Sequence, residues 1–154
     1  MVAIITGGSC ETGRELVRGL ASRSYVVVVV YLRHQHAAEA VVEEILAAGG
    51  AALAVRADVT DALDVERLFD ETTAAFGGID IVVHAARGGT SIVNEQAARR
   101  LRQGGAIVSV STAEAITPPL VHQLRARGIT VNGLAPGLES PGADHDAGDL
   151  IALL

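Results

Sequence analysis

A glycine-rich segment, Thr6-Gly7-Gly8-Ser9-Cys10-Glu11-Thr12-Gly13, has the residue types and spacing that most directly suggest chemistry. It follows the β-branched run 2–6 and precedes a stretch whose apolar residues have helical spacing. Glycines permit a tight turn, and the first turn of the following helix presents unpaired backbone N–H groups and a positive dipole end. The segment therefore predicts a cradle for a phosphate or pyrophosphate, although glycines also punctuate ordinary strand-to-helix connections.

The other polar groups predict neither a metal site nor a disulfide. Asp144, His145 and Asp146 have side chains that can ligate metals, but they lie in a Pro-, Gly- and Asp-rich stretch typical of a solvated tail. Cys10 is the only cysteine, which excludes an internal disulfide and a zinc site built from cysteines. A single cysteine also agrees with a reducing compartment.

Composition and charge indicate one globular domain. The chain has 154 residues, of which 49% are hydrophobic and 19% charged, and its net charge of −6 offers no basic face for nucleic acid. The most apolar run, 26–32, is far shorter than the roughly 20 residues of a membrane span. We therefore expect a cytoplasmic protein that binds neither membranes nor nucleic acid.

Strand-like and helix-like patterns alternate along the chain, which is typical of βαβ units around a parallel sheet. Strands are predicted at 2–6, 25–32, 52–56, 79–83, 106–110 and 129–134, and helices at 12–22, 37–48, 64–76, 92–102 and 120–127. The expected fold is a single α/β domain with a doubly wound, Rossmann-type sheet of about six strands. It should span residues 1–137, followed by a Pro/Gly/Asp-rich tail with an apolar end at 138–154.

Several motifs in this order resemble the short-chain dehydrogenase/reductase family, whose fingerprint includes a T-G-x-x-x-G-x-G turn. Thr6, Gly7 and Gly13 occupy three of its four turn positions, and Asp58-Val59 matches the D-V pair after strand three. The stretch 128–132, leading to Pro136-Gly137, resembles strand six and the loop beside the nicotinamide. The resemblance covers residues 1 to about 137 and implies an oxidoreductase scaffold that binds a dinucleotide.

The resemblance also implies which residues hold the cofactor. The expected set is Thr6, Gly7, Ser9, Gly13, Arg33, Asp58, Val59, Ala85, Pro136 and Gly137. No acidic residue ends strand two, where one would bond the ribose 2′-OH of NAD. Arg33 stands there instead and suits the additional 2′-phosphate of NADP, so NADP is favoured while NAD stays open.

The chain departs from the family pattern where catalysis is expected. The family uses a Tyr-x-x-x-Lys pair, whereas this chain has no lysine, and its two tyrosines, Tyr25 and Tyr31, flank strand two and are expected at the adenosine end, away from the hydride-transfer region. The segment 112–128 is also too short for the long helix that carries the pair, which indicates an internal deletion and truncated later helices. Thr112 or Ser111 stands where the family's serine lies and would be a remnant of the catalytic site.

Two further departures concern the cofactor site. His84-Ala85-Ala86-Arg87 replaces the family's N-N-A-G motif, so the amide side chains that tie strands together are absent. Glu11 replaces a glycine of the turn and brings a carboxylate near the pyrophosphate position. At about 6 Å and an effective dielectric of about 20, that repulsion is about 3 kcal/mol, or about a hundredfold in affinity. If Glu11 turns outward, it simply favours the helix dipole.

Three functions remain open on this sequence. The chain is an NADP(H)-binding scaffold without the family's standard catalysis, and acts as a binder, sensor or regulatory partner. Alternatively, it is an active NADPH-dependent carbonyl reductase that uses a non-standard proton donor or a partner chain. The third hypothesis is a structural or decayed subunit without ligand, for which homo- or hetero-oligomer formation through exposed sheet edges is expected.

Overall fold

The computed structural model describes residues 1–110 and 118–133, which form alternating strands and helices. The strands are β1 (Val2–Thr6), β2 (Val26–Tyr31), β3 (Ala51–Arg56), β4 (Ile79–His84), β5 (Leu101–Ser109) and β6 (Thr130–Gly133). The helices are α1 (Glu11–Ala21), α2 (Gln35–Ala47), α3 (Ala62–Phe76), α4 (Thr90–Arg100) and α5 (Pro118–Ala126). The predicted tail at 138–154 lies outside the described residues.

The six strands form one parallel sheet in the order β3-β2-β1-β4-β5-β6. Chain order reverses between β1 and β4, so the loops after these two strands leave the sheet in a shared crevice. All strands point the same way, and the segments after β1, β2, β3 and β4 therefore meet at one edge of the sheet. Ligands of such open sheets bind at this carboxyl edge, next to the reversal.

Helices cover both faces of the sheet, which explains why the strands are almost continuously apolar. On one face α1 and α2 bury Leu16, Val17 and Ile45 against β1 and β2. On the other face Val65 and Phe69 of α3, together with residues of α4 and α5, pack on the same strands. The doubly wound α/β fold predicted from the alternating pattern is confirmed.

Element boundaries agree with the predicted ones to within two or three residues, except at the start of β5. The pattern placed residues 101 and 102 in the preceding helix, whereas the structure ends α4 at Arg100 and begins β5 at Leu101. Leu101 is buried and pairs with Ile79, and the register then shifts before Ile81 pairs with Ala106. The expectation was wrong because a tertiary contact overrides local helical spacing at this junction.

In the part of the chain that the structure describes, no helix combines the length and the apolar character needed to cross a membrane.

Candidate functional site

The turn after β1 is built on close backbone approaches that only glycine allows. Gly7 has a left-handed φ of 72°, and α1 begins four residues later at Glu11. A Cβ on Gly13 would lie 2.1 Å from the carbonyl oxygen of Gly7, so the first turn of α1 rests directly on the end of β1. The strand, turn and helix therefore adopt the compact geometry that a pyrophosphate cradle requires.

The N-terminus of α1 carries no side-chain cap. Cys10 occupies the N-cap position in an extended conformation, but its side chain makes no capping hydrogen bond. Its thiol donates to the Gly7 carbonyl at 2.9 Å, and its backbone N–H donates to the same oxygen at 3.1 Å. The amides of the first turn of α1 are thus left without a side-chain acceptor, and they coincide with the positive end of the helix dipole.

Glu11 is the first residue of α1 and its side chain is exposed. Among the described residues it forms no ion pair. Its carboxylate therefore belongs to the first turn of α1 and has no ion-pair partner among the described residues. This charge favours the isolated helix and opposes an anionic ligand at the same position.

The loop after β4 lies against this turn. A Cβ on Gly7 would meet the carbonyl carbon of Ala85 and the backbone nitrogen of Ala86, both at 2.9 Å. The Ala85 N–H donates to the Thr6 carbonyl at 3.2 Å, which continues the pairing of β1 with β4 beyond the strand ends. The turn after β1 and this loop consequently form one contiguous surface.

His84, at the end of β4, connects the two segments through both ring nitrogens. It is fully buried, with Nδ1 2.8 Å from Thr6 Oγ1 and Nε2 2.9 Å from the Gly88 carbonyl oxygen. A carbonyl only accepts, so Nε2 carries the proton and Nδ1 accepts from the Thr6 hydroxyl. The Ala86 N–H donates in turn to Thr6 Oγ1 at 3.4 Å.

This network corrects one expectation. The replacement of the first asparagine of N-N-A-G was expected to cost a tie between strands, yet the imidazole of His84 makes such ties itself. Burial lowers the pKa of His84 below the usual 6.5, against a smaller opposing effect of the hydrogen bond to Gly88. His84 is therefore a neutral structural group near neutral pH.

The segment after β3 forms the adjoining wall of the crevice. Asp58 Oδ1 accepts from the backbone N–H of Thr60 at 2.9 Å and from its hydroxyl at 2.6 Å. These hydrogen bonds are the main reason that the pKa of Asp58 is lowered. Asp58 Oδ2 has no hydrogen-bond donor among the described residues and is available to a ligand.

Val59 is buried beside the loop after β4, and the contact depends on Gly89. Gly89 has a φ of 70°, and a Cβ there would lie 2.0 Å from the Val59 carbonyl oxygen. A Cβ added to Gly88 would lie 3.2 Å from the methyl carbon of Thr60. The segment after β3 and the loop after β4 are therefore packed together, and the contact at Val59 holds the residue that follows Asp58 in the chain.

Arg33 follows β2 at the same edge and its side chain is exposed. The charge of Arg33 also lowers the pKa of Asp58, after the hydrogen bonds from Thr60. Arg33 makes no ion pair with a described residue. Arg33 thus lies at the carboxyl edge of the sheet and acts electrostatically on Asp58 in the segment after β3.

The structure brings most of the predicted site residues to one crevice. Thr6 ends β1 and Gly13 lies in the first turn of α1, and the segments after β1, β2, β3 and β4 contain the others at the carboxyl edge: Gly7, Ser9, Arg33, Asp58, Val59 and Ala85. Thr6 itself is fully buried and its hydroxyl is used by His84 and Ala86. The predicted residues Ser111, Thr112, Pro136 and Gly137 lie outside the described residues.

Two further features escaped the sequence analysis. The sequence predicted no role for His84 beyond the replacement of an asparagine, and it predicted no role for Gly89. The pair His84 and Gly88, four residues apart after a buried strand, was the available signal for a side chain folding back on its own loop. Tyr25 also needs a correction, since it precedes β2 and lies at the opposite edge from the crevice.

Known proteins define the class. Residues 1–104 match the profile of the short chain dehydrogenase family. An uncharacterised oxidoreductase of Methylorubrum extorquens is 30% identical over 189 residues, covering 96% of this chain and 76% of the relative. A 3-oxoacyl-[acyl-carrier-protein] reductase of Staphylococcus aureus is 30% identical over 179 residues, covering 88% of this chain and 73% of the relative.

Comparison with solved structures indicates the same family. A short chain dehydrogenase of Burkholderia cenocepacia, solved in complex with NADP, superposes with a TM-score of 0.77 at 29% identity. That match covers 85% of this chain and 71% of the solved one. The chain belongs to the short-chain dehydrogenase/reductase family.

The relatives carry residues that this chain lacks. The alignment with the Methylorubrum protein runs over 189 residues, more than the 154 of the whole chain, so the relative has inserted residues with no counterpart here. This supports the internal deletions inferred from the sequence. The family membership is therefore shown, and this chain is shorter than the relatives that it matches.

Proposed function

We propose that this protein binds NADP(H) in the crevice between the turn after β1 and the loops after β3 and β4, and that binding rather than standard carbonyl reduction is its function. The observation that carries the proposal is the turn itself, in which Gly13 rests on Gly7 under an uncapped N-terminus of α1. Such a terminus provides backbone donors for a pyrophosphate at no conformational cost.

The adenosine half of the ligand has matching partners in the same crevice. Asp58 Oδ2 is free to accept from the adenine amino group, and the buried backbone of Val59 fixes the position of Asp58. Arg33 provides an unpaired guanidinium for the 2′-phosphate, which a carboxylate in that position would repel. The solved Burkholderia relative contains NADP, which supports the same ligand class here.

The residues of this chain do not supply the family's usual acid. NADPH, when bound, supplies a hydride, but reduction of a carbonyl also needs a proton donor at the carbonyl oxygen. The chain has no lysine to lower the pKa of a tyrosine, and its two tyrosines lie at the two ends of β2. A binder, sensor or regulatory subunit fits this combination of an intact scaffold and an altered reaction centre.

A fluorescence titration of NADPH tests the proposal. The chain has no tryptophan, so nicotinamide emission is measured without that interference. We expect saturable binding at pH 8, weakened at least tenfold in Arg33→Gln when NADPH is the ligand and little changed when NADH is the ligand. Arg23→Gln, in the exposed segment after α1 at the opposite edge, is the matched control and should bind like the wild type. Absence of saturable binding at millimolar NADPH would refute the proposal.

Activity decides between a binder and a reductase, the class to which the Staphylococcus relative belongs. NADPH oxidation should be followed with a panel of aldehydes, ketones and quinones. We expect no NADPH oxidation above the rate measured in buffer without the protein. Turnover that co-purifies with the protein and is lost in Arg33→Gln would replace the binding function by an NADPH-dependent reductase with a non-standard proton donor.

A further inference from the structure

We propose that His84 is a positioning residue for the nucleotide crevice, and that its neutral imidazole joins the turn after β1 to the 85–89 loop so that nucleotide affinity falls on acidification. The proposal rests on the nucleotide binding proposed above and assigns a regulation to that same site. His84 does not face the crevice, because it is fully buried below it. It acts through the two segments that do.

The hydrogen bonds form a directed chain. The Ala86 N–H donates to Thr6 Oγ1, the Thr6 hydroxyl donates to His84 Nδ1, and His84 Nε2–H donates to the Gly88 carbonyl. Thr6 directly precedes Gly7, whose left-handed turn starts the cradle. Ala86 and Gly88 belong to the loop that touches both Gly7 and Thr60. The imidazole therefore ties the turn after β1 to its facing loop, in addition to the backbone hydrogen bond from Ala85 to Thr6.

Only the neutral imidazole satisfies this arrangement. Protonation of Nδ1 would place two donors, the ring N–H and the Thr6 hydroxyl, on the same 2.8 Å contact. The hydroxyl would have to rotate away inside the fold and lose its acceptor, while a charge would be buried without a counter-ion. Protonation would therefore shift the 85–89 loop away from Thr6 and widen the space between this loop and the turn after β1.

Charged groups around the crevice do not stabilise the imidazolium directly. The facing elements contribute Arg87 from the loop itself, Asp58 and Asp61 from the connection after β3, and Glu11 and Arg14 from α1. None of them forms a hydrogen bond or ion pair with His84. Burial accordingly outweighs every other effect on the pKa of His84 and keeps the ring neutral at pH 7.

The test is the pH dependence of affinity for oxidised NADP, measured by calorimetry between pH 5.8 and 8. The 2′-phosphate of the ligand itself titrates near pH 6, so the quantity that matters is the difference between proteins. His84→Asn keeps a polar atom near Nδ1 and His84→Gln keeps one near Nε2, and neither titrates in this range. His122→Asn, an exposed histidine on α5, is the matched control.

We expect the affinity of the wild type and of His122→Asn to fall about threefold more over this range than that of His84→Asn or His84→Gln. At pH 8 the two His84 variants should bind more weakly than the wild type, and the variant that better restores the contact should recover more of the affinity. Equal pH profiles in all four proteins would overturn the inference. Absence of binding at pH 8 in the wild type would overturn the proposed function and the inference together.

A second measurement needs no variant and stays informative if the substituted proteins fold poorly. Nitrogen-15 shifts of the imidazole rings in the wild type should show the Nε2–H tautomer for His84, and saturating NADP should lower its pKa further, because binding and proton release are reciprocal. A tautomer with the proton on Nδ1, or a pKa of His84 that NADP leaves unchanged, would contradict the mechanism.

Discussion

The turn after β1 and the loop after β4 lie in contact at the centre of the crevice, yet they depart from the family pattern in opposite ways. The turn keeps its backbone geometry, with Gly13 resting on Gly7, but the helix that follows it begins with Glu11, whose charge has no ion-pair partner among the described residues. The loop has lost its family sequence, but His84 and Gly89 give it a well-bonded position against Thr6 and Val59. Both segments are thus held in compact positions, whereas only the turn has a changed charge at the site.

This difference teaches that sequence motifs and geometry need not be lost together. A motif records one solution to a packing problem, such as an amide that ties two strands. A buried imidazole with one donor and one acceptor nitrogen is a second solution to the same problem. Charge has no such substitute, because a carboxylate beside a pyrophosphate repels it whatever the backbone geometry.

The largest expected effect is on the loop. Gly89→Ala should reduce the free energy of unfolding by about 3 to 4 kcal/mol, since the new Cβ meets the Val59 carbonyl and the left-handed φ is unfavourable for alanine. Gly104→Ala is the matched control, because Gly104 has a φ of 78° but nothing within 4 Å of the added Cβ. Its cost should be only about 1 to 2 kcal/mol. Equal losses in urea unfolding would show that the loop is not held against Val59.

The next effect concerns the turn. Glu11→Gly should raise NADPH affinity by up to about a hundredfold, because it removes about 3 kcal/mol of repulsion and restores room for the pyrophosphate. Glu11→Gln removes the charge and keeps the bulk, so its gain reports the electrostatic part alone. Glu15→Gln, an exposed residue one turn further along α1, is the control. If neither Glu11 variant binds more tightly, the carboxylate points away from the ligand and the contrast with the loop disappears.

Sequence patterns anticipated the fold better than the site. Alternating strand and helix patterns with β-branched strands sufficed to predict a doubly wound parallel sheet of about six strands, because βαβ connections leave few topologies open. The start of β5 was missed because Leu101 continues a helical spacing and is drawn into the sheet only by its contact with Ile79. Local periodicity cannot contain that information.

For the site, the sequence predicted a role in binding for the turn, Arg33 and Asp58, but it did not predict how the loops are held. The role of His84 depends on Thr6, which is 78 residues away in the chain, and that of Gly89 depends on Val59. Neither relation has a spacing that a motif could express. From the sequence alone, His84 therefore indicates only the loss of an asparagine, and its role is visible only in the contact between β1 and β4.

A smaller effect tests the loop through pH and needs no ligand. Because burial lowers the pKa of His84 below 6.5, the unfolded chain binds the proton more strongly than the folded one. As the pH falls from about 7.5 to about 5.5, protonation therefore favours the unfolded chain, and the folded state loses stability below pH 6.5. Urea unfolding at both ends of this range should show that loss in the wild type and a smaller one in His84→Gln. Asp58 and Asp64, whose pKa values are lowered from 3.8, titrate well outside the range.

The last prediction returns to the turn and sets its stability against its function. The side chain of Asp61 caps α3 by accepting from the N–H groups of Leu63 and Asp64, whereas Cys10 leaves α1 uncapped. Cys10→Asp should therefore stabilise the fold by about 1 kcal/mol, since an aspartate cannot donate to the Gly7 carbonyl and can only accept from the first-turn amides. The same bonds occupy the donors proposed for the pyrophosphate, so NADPH affinity should fall about tenfold or more. If the variant is more stable and binds NADPH equally well, the open N-terminus of α1 does not hold the phosphates. The turn after β1 and the loop after β4 would then differ in sequence but not in their part in phosphate binding.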